Sequence, residues 1–198
     1  MIFDAAELRR RLARPAAAAS LYISDDRAER EQAAVTVAAV LVPIIARPEG
    51  FTVLFTRRTA QLKSHSGQIS FPGGRAEPGD PSLQHTALRE AQEEIGLPPA
   101  RVEVLGQMPE YNTRTGFRVT PVIGLIQPPL ELVPDSREVD AVFEVPLAFI
   151  LDAGNHQRAT RELNGRSVGY YVIEHQGRTI WGATAGMLVN LSRHLAAD

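Results

Sequence analysis

An α/β fold, strands flanked by helices, is what this sequence predicts, and three features predict it. Runs rich in Val, Ile, Leu and Phe at 34–42, 51–57, 102–108 and 119–126 read as buried strands. Between the second and third lies a segment of helical period, closed by Gly96 and followed by Pro98-Pro99. Composition is globular: of 198 residues, 44% are hydrophobic and 22% charged, enough for one cored domain, or one with an appendage, and unlike a disordered chain.

The elements follow in order. Asp4 is suited to cap a first helix ending near Pro15, with Leu8 and Leu12 on its buried side. The arginines of that helix read as its solvated face rather than a phosphate site. The apolar run 33–46 contains Thr36 and Pro43 and is too short to span a bilayer, so it reads as a buried strand. Arg47-Pro48-Glu49-Gly50 reads as the turn into the next strand. The main helix is expected to start near Asp80-Pro81-Ser82, with Asp80 capping free N–H groups and proline at the first helical position. A strand at 140–145, a short helix at 147–151, a hairpin over about 167–181 and a last helix over about 183–195 complete the chain. Residues 1–32 are expected to form a helical extension and 33–198 the main domain.

Charge and composition exclude several classes. A net charge of −2 gives no reason to expect nucleic-acid binding. The absence of cysteine removes disulfides, thiolate metal sites and cysteine nucleophiles. The first twelve residues are too charged for a signal peptide, so the expectation is a cytoplasmic protein without membrane or nucleic-acid partners. A homodimer through the N-terminal helix is open.

The chemistry concentrates in Arg89-Glu90-Ala91-Gln92-Glu93-Glu94-Ile95-Gly96-Leu97, after a glycine pair at Gly73-Gly74. At roughly 100° per residue, Glu90 and Glu94 share one helical face with Glu93 beside it. Leu88, Ala91 and Ile95 face elsewhere and can pack on a sheet. Like charges at this spacing repel by roughly 0.2–0.5 kcal/mol, and a hard divalent ion converts repulsion into ligation. Glu90 and Glu94 are therefore the candidate ligands of a first Mg²⁺ or Mn²⁺, with Glu93 completing a second site or binding through water. Arg89 is suited to orient a glutamate. The glycine pair lets backbone approach a ligand or metal.

This stretch resembles the Nudix box, G-x5-E-x7-R-E-U-x-E-E-x-G-U with U aliphatic. Arg89-Glu90, Glu93-Glu94 and Gly96-Leu97 fit its second half. The first half departs: the sixth residue after Gly74 is Asp80 rather than Glu, one extra residue precedes Arg89, and Ala91 is small. Leu54-Phe55-Thr56-Arg57-Arg58-Thr59, Lys63, Gly67 and Phe71-Pro72-Gly73-Gly74 resemble the added signature of the coenzyme A pyrophosphatase branch. Asn112, Gly116, Val119-Thr120-Pro121-Val122, the segment 142–147 and Trp181-Gly182-Ala183-Thr184-Ala185 are similar to the same branch.

The resemblance implies an α/β/α sandwich with a mixed β-sheet and metal-dependent hydrolysis of coenzyme A or its thioesters to 3′,5′-ADP and a 4′-phosphopantetheine species. Activity on ADP-ribose, NADH or nucleoside triphosphates, or a non-catalytic ligand-sensing role, are the other readings. Arg57, Arg58 and Lys63 are the candidate phosphate-binding cations, beside Gly73 and Gly74. Glu93, Glu138 and Glu144 are candidates for the general base, with Glu93 and Arg89 the catalytic assignment. Neither His65 nor His85 is assigned to the metal.

Overall fold

The computed structural model describes residues 4–14, 23–24, 35–60, 67–163 and 165–196. The first helix, α1 (Ala5–Leu12), starts where Asp4 accepts the Glu7 N–H at 2.7 Å. Leu8 and Leu12 are buried in the main core together with Leu191 and Leu195 of the last helix. Three of its arginines are taken by surface ion pairs, Arg9 with Glu103 and Arg10 and Arg11 with Glu7. The expected boundary at 32/33 lies outside the described residues.

The main sheet is built on β1 (Thr36–Arg47), β2 (Gly50–Arg58), β5 (Val102–Gln107) and β7 (Phe117–Ile126). Its path runs from β3 (Ile69–Ser70) through β2, β1 and β7 to β5, with β4 (Gly73–Arg75) on β1, β6 (Tyr111–Asn112) on β7 and β8 (Val139–Pro146) on β2. Among the described residues only β1 and β7 pair in parallel, so the sheet is mixed as expected.

Strand β1 runs five residues beyond the expected end at 42, straight through Pro43. The Leu41 N–H points to Pro72 O, so position 43 faces the same side two residues on. There β1 passes from β4, paired at 38–40, to β2, paired from 44, and a missing N–H disturbs no ladder bond.

Alternation divides the sheet's residues between two cores. Ala39, Leu41, Ile45, Leu54, Val122 and Ile126 pack against Ala87, Ala91 and Ile95 of α2 (Leu83–Ile95). Val42, Ile44, Val53, Phe55, Ile123 and Leu125 pack on the other face, against α3 (Leu147–Leu151) and α4 (Ala183–Ala196). Helices on both faces complete an α/β/α arrangement. No helix among the described residues is long and apolar enough to cross a membrane.

The expected hairpin at 167–181 is part of a three-stranded antiparallel sheet, β9 (Gln157–Leu163), β10 (Arg166–His175) and β11 (Arg178–Trp181). Strand β9 is exposed along almost its whole length, so it carries no apolar alternation to reveal it.

Candidate active site

Helix α2 places the site. Ser82, extended at φ −163 and ψ 162, is its N-cap and accepts the His85 N–H at 3.1 Å. Gly96 closes it in the left-handed conformation at φ 68. The cap assigned to Asp80 is thus a correction: Asp80 lies before Pro81 and its carboxylate has other partners. It accepts Arg89 Nε and Nη2 at 3.1 Å each, the Thr86 hydroxyl at 2.8 Å and the Glu77 N–H at 3.0 Å. The Asp80 side chain is 4% exposed, and the Arg89 guanidinium holds it well below the usual carboxylate range.

Arg89 is the hub of that network. Besides Asp80 it reaches Glu90 Oε1 at 3.0 Å, Glu93 Oε2 at 3.1 Å and Arg75 O at 3.1 Å. One guanidinium therefore ties the start of the helix, the loop after the glycine pair and the glutamate cluster into one body. The contact with Glu90 places Arg89 beside one of the glutamates it was expected to orient.

The glycine pair meets the two inner glutamates. A Cβ at position 73 would lie 2.5 Å from Ala39 O and 2.6 Å from Val40 Cα, so β4 can lie on β1 only with glycine there. A Cβ at position 74 would fall on the Glu90 carboxylate. The Gly73 N–H donates to Glu94 Oε2 at 3.4 Å.

Glu94 is buried at 5% exposure, and burial pushes its carboxyl up to about 8, against the pull of Arg58, whose Nη1 lies 3.8 Å away. Glu90 and Glu138 raise it further by like charge. Burial also raises Glu90, opposed by Arg89. Two desolvated carboxylates thus converge with no cation in full contact with Glu94.

Both line a cleft of about 510 Å³. Its walls include Arg58 from β2, Gly73, Gly74 and Arg75 from β4, Thr113, Arg114 and Phe117 around the start of β7, Glu138 before β8, and Arg161 and Trp181 from the three-stranded sheet. Arg75 lies 5.5 Å from the Phe117 ring centre.

The structure brings together Glu90, Glu94, Arg58, Gly73 and Gly74 of the expected site. Glu93 is 59% exposed, engages Arg89 and does not line the cleft. Arg57 turns to Asp140 at 2.6 Å. Lys63 and His65 lie outside the described residues, and His85 rests on Asp80 at 3.0 Å. Of the later carboxylates, Glu138 lines the cleft, whereas Glu144 is held by Arg47 at 2.6 Å and the Thr52 hydroxyl at 2.5 Å away from it. Sequence reasoning missed Arg75, Arg114, Phe117 and Arg161. Arg75 directly follows the glycine pair, which was its available signal; Arg161 sits on the unrecognised β9.

Among the described residues no group of three or more His, Asp or Glu side chains is arranged to hold a metal alone. The donor set nevertheless fits a hard divalent ion, because Mg²⁺ is commonly held by one or two carboxylates and takes its other oxygens from water and substrate phosphates. Two desolvated glutamates, Glu90 held by Arg89 at 3.0 Å and Glu94 with only Arg58 at 3.8 Å, supply that partial shell.

A family model described as NUDIX domain matches residues 35–163. A Photorhabdus laumondii protein named uncharacterized Nudix hydrolase NudL is 43% identical over 158 residues, 80% of this chain and 84% of its own length. Its namesake from Cronobacter sakazakii is 44% identical over 155 residues, 78% of this chain and 80% of its own. Among solved structures, a Nudix hydrolase from M. smegmatis, RenU, superposes with a TM-score of 0.50 at 27% identity, over 59% of this chain and 74% of that one.

Proposed function

The chain belongs to the Nudix hydrolase family, and we propose that it hydrolyses the diphosphate bond of coenzyme A or its thioesters to 3′,5′-ADP and 4′-phosphopantetheine. The enzyme class, a pyrophosphatase-type hydrolase of small nucleotide substrates, follows from the family; the coenzyme A substrate is our reading. The observation that carries it is the convergence of two desolvated glutamates, Glu90 and Glu94, with Arg58, Arg75 and Arg161 in one cleft. A substrate with a bridging diphosphate and a further phosphate needs this excess of cations. The upstream signature resemblance, Phe71-Pro72-Gly73-Gly74 above all, supports the same substrate.

Glu90 and Glu94 would hold the divalent cation, Mg²⁺ or Mn²⁺. Bound there, it would supply Lewis acidity toward a phosphoryl oxygen and lower the pKa of a bound water. Arg89 fixes the Glu90 carboxylate, and Gly73-Gly74 keep that side of the cleft free of side chains. Arg58 and Arg75 neutralise phosphoryl oxygens. Glu138 accepts the proton of the attacking water: it lines the cleft and, among the described residues, its carboxylate has no hydrogen bond or ion pair. Glu93 acts through Arg89, at most through water toward a cation.

The test is a product assay with Mg²⁺ and Mn²⁺ on coenzyme A, 3′-dephospho-coenzyme A, ADP-ribose and NADH in parallel. Preferred release of 3′,5′-ADP from coenzyme A is expected. Preference for ADP-ribose or NADH overturns the substrate while keeping the hydrolase. Glu90→Gln and Glu94→Gln should each abolish turnover with cooperative unfolding retained.

A further inference from the structure

Resting on the reading above and deepening it, we infer that Arg161, backed by Trp181, forms a subsite for a phosphate monoester on the substrate's ribose. Three arginines around the site face carboxylates, and Arg75 lies against the Phe117 ring. Arg57 is ion-paired with Asp140 at 2.6 Å, Arg89 is held by Asp80, and Arg58 faces Glu94 at 3.8 Å. Arg161 differs from these. Among the described residues its side chain makes no ion pair and no hydrogen bond, and its contacts are with rings. Its guanidinium carbon lies 5.8 Å from the Trp181 ring centre and 5.9 Å from that of Tyr170. Those two rings meet edge-on at 5.9 Å.

This arrangement positions a cation without using its donors. Ring faces attract the guanidinium electrostatically, while its N–H groups remain available for an anion, in the fork geometry that matches phosphate oxygens. Both Arg161 and Trp181 line the cleft that holds Glu90 and Glu94. They arrive on β9 and β11, outside the elements that carry the glutamates and the glycine pair. The bridging phosphates have Arg58, Arg75 and the cation at the glutamates to neutralise them. A phosphate monoester, with roughly 1.5–2 negative charges at neutral pH, needs a cation of its own.

Trp181 is the chain's only tryptophan, so its fluorescence reports on this wall of the cleft. The experiment titrates the full metal-free chain with 3′,5′-ADP, 2′,5′-ADP and 5′-AMP, and repeats this with Arg161→Gln and Arg161→Lys. Expected is about tenfold or more tighter binding of 3′,5′-ADP than of 5′-AMP. Arg161→Gln should abolish that difference while leaving 5′-AMP binding within about twofold, and Arg161→Lys should restore part of it. A wild-type chain indifferent to the extra phosphate, or an equal loss on 5′-AMP, overturns the subsite. Tighter binding of 2′,5′-ADP than of 3′,5′-ADP retains the subsite and removes coenzyme A as its ligand. Failure to cleave coenzyme A with the binding preference intact sinks the proposed function alone.

Discussion

Gly74 and Glu90 occupy complementary space: a Cβ at position 74 would stand 2.5 Å from Glu90 Oε1 and 2.6 Å from its Cδ. The glycine is thus the seat of the glutamate's carboxylate. The neighbouring Gly73 meets backbone instead, at Ala39 O and Val40 Cα.

Two adjacent alanine substitutions should therefore fail differently. Gly74→Ala meets the mobile end of a side chain, so Glu90 swings aside; activity falls at least tenfold with little change in stability. Gly73→Ala meets an immovable strand and should destabilise by about 1–3 kcal/mol or more, as overpacking does. Denaturant unfolding beside a turnover assay separates them, and a stable, active Gly74→Ala enzyme overturns the placement of Glu90.

The buried Glu94 sets a pH dependence of the metal-free protein. Its carboxyl lies at about 8 in the folded chain against an ordinary 4.5. Between those values the folded state retains a proton that the unfolded state releases, so this group's contribution to stability declines as pH rises through that window and levels off above it. In chelator, Glu94→Gln should flatten the slope and raise the unfolding midpoint at pH 8 above wild type, while abolishing turnover. A divalent cation, which binds the ionised form, should raise the wild-type midpoint more at pH 8 than at pH 6. Equal pH slopes for wild type and Glu94→Gln would contradict this.

What was legible in the sequence was what periodicity and stop signals encode. Ala91 and Ile95 against Glu90 and Glu94 gave the buried and acidic faces of α2, and Gly96 its end. Strand β1 outruns the β-rich stretch 34–42 because Pro43 has no N–H partner to lose there, and proline is costly in a strand only where it has one. The site's remaining parts depend on tertiary contact. Asp80 could be read as a cap because no local pattern reveals Arg89 folding back nine residues onto it. Arg57 and Arg58 are neighbours in sequence, yet alternation along β2 sends one to Asp140 and the other to the cleft.

Asp80 and Arg89 should act on the reaction without touching substrate. Asp80→Asn leaves Arg89 with half of its anchor, so Glu90 loses its fixed orientation. A fall in kcat or metal affinity of about 10–100-fold is expected, the range seen when groups behind metal ligands are removed. Arg89→Lys, a point charge without the fork, should behave similarly. Raising Mg²⁺ should recover part of the Asp80→Asn loss. Unchanged metal dependence in both variants would reduce the network to a structural clamp.

Glu138 and Glu144 are near in sequence and opposite in expected effect. Glu144 is bound bidentately by Arg47 and by the Thr52 hydroxyl, which hold its carboxyl below the usual value, and it lies away from the cleft. Glu144→Gln should cost about 1–2 kcal/mol of stability and leave kcat unchanged. Glu138 reaches the cleft because the loop before it is tied across the end of α2, by Val133 N to Ile95 O and Asp135 N to Glu94 O, both at 2.9 Å. Its position thus depends on the helix that carries the two buried glutamates. Glu138→Gln should lower kcat by about 10²–10⁴, the usual worth of a positioned base, with KM and unfolding midpoint little altered. A full-rate Glu138→Gln enzyme would pass the role to another base and leave Glu138 only a source of negative charge near Glu94.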